Sequence, residues 1–161
     1  NDISKYTYLP NSNGCSLFVI DEVRKVVVAA CKKKLLVYSL GENTAQSLTK
    51  EIPLSGGRFG LTISVDTIQC MDFLNSLLFV GLNKEYILVD IVQGRSCKQI
   101  CSINKGTKVP FCVPIEQEGI GDENENHEQG EMLLANDRKG LFYDFVGSPA
   151  RGVLLIFNLH L

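Results

Sequence analysis

Histidine is nearly absent from this chain of 161 residues, which has only two, and its six cysteines form no C-x-x-C pair. Protein zinc sites are built mainly from clusters of these two residue types. A nucleophilic enzyme needs a base at a recognisable spacing from its nucleophile, and the sequence contains no such arrangement. We therefore expect a protein that is not an enzyme, with no catalytic residue, no metal and no cofactor.

A strong charge of one sign and a long apolar run are also missing. The formal net charge is −2 at pH 7, and no basic stripe offers itself to nucleic acid. The longest basic cluster, Lys32-Lys33-Lys34, lies between two apolar runs and is typical of a solvated turn rather than a phosphate or lipid patch. No apolar run reaches the roughly 18 residues that a membrane span requires. We expect no nucleic-acid binding, and membrane association only through partner proteins.

The cysteines indicate the compartment. All lie in or beside strand-like segments, and we expect no signal peptide. This pattern favours a reducing intracellular compartment with buried free thiols, and a disulfide framework is the alternative. The chain does not begin with Met, so we expect that its first residue is not a natural N-terminus. The cysteines are Cys15, Cys31, Cys70, Cys97, Cys101 and Cys112.

Short apolar runs separated by turn residues make up most of the chain, most clearly in the stretch Asp66–Ile91. It contains three runs rich in Val, Ile, Phe and Tyr, namely Ile68–Phe73, Leu77–Val80 and Tyr86–Ile91. The gaps between them have the length of hairpin turns. Gly81 ends the middle run, where a strand would bend or bulge. The stretch therefore predicts an antiparallel meander.

Similar runs continue on both sides, and none shows the sustained 3.6-residue period of a helix. Pro110 and Pro114 confine their segment to an edge strand or an irregular strand. The total of about twelve strands predicts an all-β propeller, sandwich or barrel, and at four strands a blade it makes about three blades of an incomplete propeller. The further predicted strands are Cys15–Ile20, Val26–Cys31, Leu35–Leu40, a polar outer strand Gln46–Ile52, Cys97–Ile103, Val109–Ile115, Met132–Ala135, Leu141–Phe145 and Val153–Phe157.

Two segments interrupt this single domain of residues 1–161, at 55–65 and 116–131, and we expect both to be flexible insertions. Ser55–Ser64 is rich in glycine, but no Lys-Ser/Thr pair and no helix follow it, as a phosphate loop requires. Glu116–Glu131 has seven carboxylates and neither Lys nor Arg. Its composition is typical of a solvated or disordered loop, because nothing apolar surrounds these acids to hold a metal or to shift their pKa.

Three aspartates, Asp72, Asp90 and Asp144, end or interrupt strands. A glycosidase carboxylate could occupy such a position. Aspartates at strand ends are more often turn formers, and we favour that interpretation.

A series of segments, in order along the chain, also carries a recognisable pattern. Asn13–Phe18 reads N-G-C-S-L-F and Ala29–Tyr38 reads A-A-C-K-K-K-L-L-V-Y. Lys50–Ile52, K-E-I, is followed after the glycine-rich interruption by Asp66–Met71, D-T-I-Q-C-M. Each segment is too short to be specific alone, and the occurrence of all of them in one order is what makes the pattern recognisable.

The series continues in the second half of the chain. Leu77–Asp90 reads L-L-F-V-G-L-N-K-E-Y-I-L-V-D, Glu131–Ala135 reads E-M-L-L-A, and Gly140–Asp144 reads G-L-F-Y-D before Gly147–Arg151, G-S-P-A-R. Together these segments resemble the citron homology (CNH) domain family. The chain departs from the family at Ser55–Val65, which splits a normally continuous step. It departs again after Arg151, where the family has a short strand ending in Trp.

The resemblance implies a fold and a class of function. CNH domains are β-propellers of about seven blades that bind proteins rather than catalyse reactions. They occur in vacuolar-sorting subunits of the HOPS and CORVET tethering complexes, including the TGF-β-receptor-associated protein. Others are the regulatory regions of Ste20-like, citron and myotonic-dystrophy-related kinases, and of some Rho exchange factors.

For this chain the resemblance implies a non-catalytic interaction module of a vesicle-tethering subunit. It would be cytoplasmic and peripheral to endosomal or vacuolar membranes, with small GTPases of Rab or Rho type or tethering-complex subunits as partners. The alternative is the regulatory CNH domain of a Ste20-like or citron-type kinase or of a Rho exchange factor. Lys32-Lys33-Lys34 and Lys84-Glu85-Tyr86 slightly favour the tethering branch.

Overall fold

The fold consists of β-strands joined by turns. The computed structural model describes residues 8–41, 47–54, 67–103, 110–116, 130–136 and 139–155. Within these segments no residue is helical, so no helix there could cross a membrane. Twelve strands in the described chain form three antiparallel four-stranded sheets, which confirms the predicted all-β class. The first sheet lies in a compact unit of Asn1–Val65 and the other two in a unit of Asp66–Leu161.

The first sheet is a meander in which each strand is hydrogen-bonded to the next one along the chain. Its strands are β1 (Cys15–Asp21), β2 (Val26–Cys31), β3 (Lys34–Ser39) and β4 (Ser47–Pro53). The apolar β2 and β3 are buried on both faces, whereas β1 alternates between half-buried and exposed residues. β1 and β4 are the edge strands of this sheet, which confirms the outer position predicted for the polar fourth strand.

The turns of the first sheet are held by local polar groups. The Asp21 carboxylate accepts the Arg24 backbone N–H at 2.9 Å and forms an ion pair with the Arg24 guanidinium. Lys32, with a φ of 56°, and Lys33 form the exposed turn between β2 and β3. The prediction of a solvated lysine turn is therefore confirmed for these two residues. Lys34 instead begins β3, where its Nζ lies 2.7 Å from a carboxylate oxygen of Glu51.

The second sheet is the meander predicted for the middle of the chain. Its strands are β5 (Cys70–Leu74), β6 (Leu77–Gly81), β7 (Glu85–Asp90) and β8 (Arg95–Ser102). The bend predicted at Gly81 is wrong, because Gly81 is paired in regular register with Cys70 and Tyr86. A Cβ at this position would lie 2.5 Å from Cys70 Sγ and 2.9 Å from Tyr86 Cε1. Close packing, and not a turn of the backbone, explains this glycine.

The third sheet has the strand order β12-β11-β10-β9. Its strands are β9 (Cys112–Glu116), β10 (Gly130–Asn136), β11 (Lys139–Tyr143) and β12 (Pro149–Leu155). β9 is an edge strand of this sheet, as its prolines predict. β12 begins at Pro149, before the predicted start at Val153, and Asn136 and Lys139, which lie between two predicted strands, pair with each other.

The two predicted insertions fall mainly outside the described residues. For the glycine-rich insertion at 55–65 this applies to all its residues. The acidic insertion at 116–131 is shorter than predicted, because Glu116 ends β9 and Gly130 and Glu131 begin β10. These residues pair across the two strands, Gly130 with Glu116 and Glu131 with Ile115. The ladder between β9 and β10 thus takes in residues that composition alone assigns to the loop.

The second and third sheets pack face to face through one buried group, here called the inter-sheet cluster. Tyr86 of β7 joins the sheets most closely: its hydroxyl donates to the Ala135 carbonyl at 2.6 Å and accepts the Phe111 N–H at 3.1 Å. The Asn136 side chain adds a second link by donating to the Ser102 carbonyl at 2.9 Å. The inter-sheet cluster consists of Leu74, Phe79, Tyr86, Leu88, Cys112, Met132, Leu134 and Tyr143.

A separate buried group, the first-sheet cluster, lies on one face of β2 and β3. Leu9, from the segment that precedes β1, and Cys15, the first residue of β1, pack against it, and the Tyr38 hydroxyl donates to the Pro10 carbonyl at 2.8 Å. The incoming chain is thereby fixed across the sheet. The first-sheet cluster consists of Val27, Ala29, Cys31, Leu36 and Tyr38.

Candidate protein-interaction surface

The aspartates at the ends of β7 and β11 organise turns. Asp90 Oδ1 accepts the Gln93 N–H at 2.9 Å. Asp144 Oδ1 accepts the N–H groups of Val146 at 3.1 Å and Ser148 at 2.7 Å. Both carboxylates therefore accept backbone N–H groups of the following turn, as in Asx turns, and act as the turn formers that were predicted for aspartates at strand ends.

Asp72 differs from these two because it lies within β5. It is half-buried, and its Oδ1 accepts the N–H of the next residue, Phe73, at 2.9 Å. Burial raises the pKa of this carboxyl above its ordinary value. Among the residues that the structure describes, no group of three or more His, Cys, Asp or Glu side chains could hold a metal ion.

Five cysteines are free thiols, as the sequence predicts, although only Cys31 and Cys112 are fully buried. The side chain of Cys97 lies outside the described part of the chain. In the inter-sheet cluster, the pKa of Cys112 is raised above its ordinary value. The larger cause is a hydrogen bond with the Cys70 thiol, and the second is burial. The pKa of Tyr143 is raised to about 12, mainly because the side chain is buried and also because it is hydrogen-bonded to the Cys101 thiol. These thiols are packed as small core side chains. The remaining three free cysteines, Cys15, Cys70 and Cys101, are half-buried.

Two turns at one end of the second and third sheets expose apolar side chains, and we call them the rim turns. They are the β7–β8 turn, Ile91–Gly94, with Val92 67% exposed, and the β11–β12 turn, Asp144–Ser148, with Val146 44% exposed. A Cβ at Gly147 would lie 3.0 Å from Lys98 Cε and 3.5 Å from Leu88 Cδ2. The second rim turn therefore lies against β7 and β8.

The face of the third sheet that points away from the inter-sheet cluster is only partly covered, and we call it the outer face. Side chains alternate between the two faces of a strand, so the residues that separate the cluster members lie here. Val113, Leu133, Phe142 and Arg151 are paired in one row across all four strands. Val113 is 44% exposed and Leu133 and Phe142 are half-buried.

Arg151 combines charge with an aromatic contact on this outer face. Its guanidinium carbon lies 4.0 Å from the centroid of the Phe142 ring, within the range of a cation–π interaction. Its Nε lies 2.7 Å from a carboxylate oxygen of Glu131, whose side chain is 13% exposed against 51% for Arg151. The outer face thus carries a row of apolar side chains and an ion pair in which Glu131 neutralises the charge of Arg151.

The first sheet has its own exposed apolar edge, formed by Phe18 and Ile20 of β1. Phe18 is 70% exposed and Ile20 47% exposed, although their cross-strand partners, Ala29 and Val27, are buried. A strand that exposes large apolar residues at a sheet edge is a ready template for pairing with another chain. Leu17–Ile20 is a continuous apolar run, so the sequence of β1 carries no alternation that could have identified this edge.

No protein-family model matches the chain, and no curated protein shows significant similarity to it.

Proposed function

We propose that this chain is a non-catalytic protein-interaction module, formed by propeller blades of the CNH kind. It serves a vesicle-tethering subunit at endosomal or vacuolar membranes by binding a small GTPase of Rab or Rho type or another subunit of the tethering complex.

The observation that carries this proposal is the repeated architecture. Each sheet is one uninterrupted meander of four consecutive strands, and a propeller blade is such a sheet. In the second unit, the first strand of one sheet, β5, packs against the first strand of the next, β9. Blades that converge on an axis through their first strands would make this contact.

The segments that resemble the CNH family support the proposal through their positions. Ala29–Tyr38 covers the turn between the second and third strands of the first sheet, and Leu77–Asp90 spans the same two strands of the second. Glu131–Ala135 and Gly140–Asp144 belong to the same hairpin of the third sheet. The resemblance therefore recurs at one structural position in all three sheets, as expected for blades of one family.

The rim turns are the surface that we assign to the partner. Loops that join the strands of a rigid β-scaffold are the usual place for binding residues, and these two turns expose Val92 and Val146. Val92→Asp should weaken binding, since it places a carboxylate in the centre of an apolar contact. Asn83→Asp is the matched control, because Asn83 is exposed in the turn at the opposite end of the second sheet.

The direct test is capture of purified GTPases on the immobilised chain. We expect a Rab-type or Rho-type GTPase to be retained in its GTP-loaded form and less in its GDP-loaded form, and retention to fall in the Val92→Asp variant but not in Asn83→Asp. Retention of Rab proteins favours the tethering role, and retention of Rho proteins alone favours the kinase or exchange-factor alternative. Failure of the complete parent domain to bind any GTPase or tethering subunit would contradict the proposal.

A further inference from the structure

Two cysteines of the first sheet face each other across β1 and β2 because of a local irregularity. Most of this strand pair has one regular register, in which Leu17 is opposite Ala30, and that register would place Ser16 opposite Cys31. A bulge between Cys15 and Leu17 shifts the pairing by one residue and brings Cys15 opposite Cys31. Bulges commonly re-aim one side chain, and here the bulge aligns two thiols.

The surroundings of the pair keep both sulfurs in place. Cys31 belongs to the first-sheet cluster and Cys15 packs against it, and the Cys31 thiol donates to the Asn13 carbonyl at 3.5 Å. Directly opposed residues of an antiparallel pair have Cα atoms about 4.5 to 5.5 Å apart. A disulfide needs about 4.4 to 6.8 Å, so the Cα spacing typical of an opposed pair falls within the range that a disulfide between Cys15 and Cys31 requires.

We propose that Cys15 and Cys31 form a reversible redox site that closes to a cross-strand disulfide, with a low-molecular-weight disulfide of the glutathione type as the oxidant. Cys15, half-exposed, loses its proton and attacks one sulfur of the oxidant, so that one glutathione thiolate leaves. Cys31 then loses its proton and attacks the Cys15 sulfur of the mixed disulfide, so that the second thiolate leaves. Two electrons pass from the protein to the oxidant, and both protons end on the two released thiols.

The chemistry of the site makes this exchange slow but favourable. The pKa of Cys15 is raised to about 11, mainly by burial and then by the hydrogen bond and the charge of Cys31. The positive charge of Lys34 lowers this pKa but does not outweigh the other effects. Only a small fraction is therefore thiolate at neutral pH. The fixed opposition of the two sulfurs favours closure once the mixed disulfide forms. The product ties the edge strand β1 to β2 at its bulged end, and this inference does not depend on the proposed function.

The test uses the folded full chain, equilibrated with mixtures of reduced and oxidised glutathione. Free thiols are then blocked, the chain is digested with trypsin, and the peptides are weighed by mass spectrometry. We expect the peptides Tyr6–Arg24 and Val26–Lys32 to be joined at oxidising ratios and separate again after treatment with dithiothreitol. Recovery of both cysteines as blocked free thiols at every ratio would overturn the proposal, as would a link that forms only in urea.

Three variants make the assignment specific. Cys15→Ser and Cys31→Ser should each lose the joined peptides completely, and Cys31→Ser should carry a glutathione adduct on Cys15, whereas Cys15→Ser should leave the buried Cys31 as a free thiol. Cys70→Ala, which alters the thiol contact with Cys112 in the other unit, should leave the joined peptides unchanged. Loss of the link in Cys70→Ala would contradict the pairing of Cys15 with Cys31. The experiment on the unmodified chain stands even if a serine variant does not fold.

Discussion

At the scale of single residues, Tyr86 connects the second and third sheets. Its ring belongs to the inter-sheet cluster, and its hydroxyl satisfies both the Ala135 carbonyl and the Phe111 N–H. Tyr86→Phe keeps the ring but leaves these two backbone groups without their partner. We expect the free energy of unfolding to fall by about 1 to 3 kcal/mol, measured by urea denaturation.

Tyr8→Phe is the matched control for that substitution, since Tyr8 is 88% exposed and the same oxygen is lost from a solvated position. Its unfolding free energy should equal that of the unmodified chain. Equal stability of Tyr86→Phe and Tyr8→Phe would show that the Tyr86 hydroxyl does not connect the sheets.

Two aspartates should have opposite effects on the dependence of stability on pH. Burial disfavours the charge of Asp21, but hydrogen bonds from Arg24 and the Arg24 guanidinium outweigh it and lower the pKa of Asp21 below its ordinary value of 3.8. Asp21 therefore contributes stability above that value, and the contribution is lost as the pH falls through the folded pKa. Burial raises the pKa of Asp72, so its contribution is present below 3.8 and is lost as the pH rises through the folded pKa.

Asparagine variants separate the two effects. At about pH 7, Asp21→Asn should be less stable than the unmodified chain and Asp72→Asn more stable, and both differences should shrink towards about pH 3. Urea midpoints at the two pH values measure this. A loss of stability in both variants at neutral pH would contradict the assignment for Asp72.

At the scale of elements, the sequence is sufficient to predict the strands, and most of their limits to within about one residue. The Val26–Cys31 strand is predicted residue for residue, because apolar β-formers are flanked there by charged turn residues. β11 begins and ends two residues earlier than the predicted strand Leu141–Phe145. The apolar Phe145 extends the prediction beyond the turn at Asp144, where the strand has already ended. Local patterns identify strands, but side-chain bonds within the turns decide where they end.

Features that depend on distant parts of the chain could not be predicted in this way. The bonds of Tyr86 reach residues 25 and 49 positions away, and the need for glycine at position 81 arises from the side chains of Cys70 and Tyr86. Cys15 lies opposite Cys31 because of a bulge in β1, and the amino-acid sequence of β1 does not reveal this bulge. Pairing and packing between elements, and not propensity, determine these contacts.

The exposed apolar edge of β1 gives a prediction for the element itself. An unpaired edge strand such as β1 should associate with another chain, and a lysine on an edge strand opposes such pairing. We expect the chain to form oligomers that increase with concentration, and Phe18→Lys to shift it towards the monomer, in size-exclusion chromatography with light scattering.

Val23→Lys is the control for added charge, because Val23 is 92% exposed but lies in the turn after β1. It should leave the oligomers unchanged. A sharp, stable monomer for the unmodified chain, or an equal effect of Val23→Lys, would mean that the β1 edge does not mediate association.

At the scale of the whole molecule, the three sheets differ in how completely their faces are covered. In the second sheet, Phe79 and Leu88 on one face and Val80 and Val89 on the other are all at most 2% exposed. The third sheet covers one face with the inter-sheet cluster and leaves Val113 on its outer face 44% exposed. In the proposed propeller, a further blade would cover this outer face, and the rim turns would remain free for a partner.

An experimental structure of the full-length gene product tests the proposed arc of blades most directly. We predict that the three sheets are arranged around a common axis with further four-stranded sheets, one of which packs on the outer face and buries Val113 and Phe142. Three sheets that close on themselves as a barrel or sandwich, or an outer face that stays in water in the complete protein, would contradict the propeller and the interaction role inferred from it.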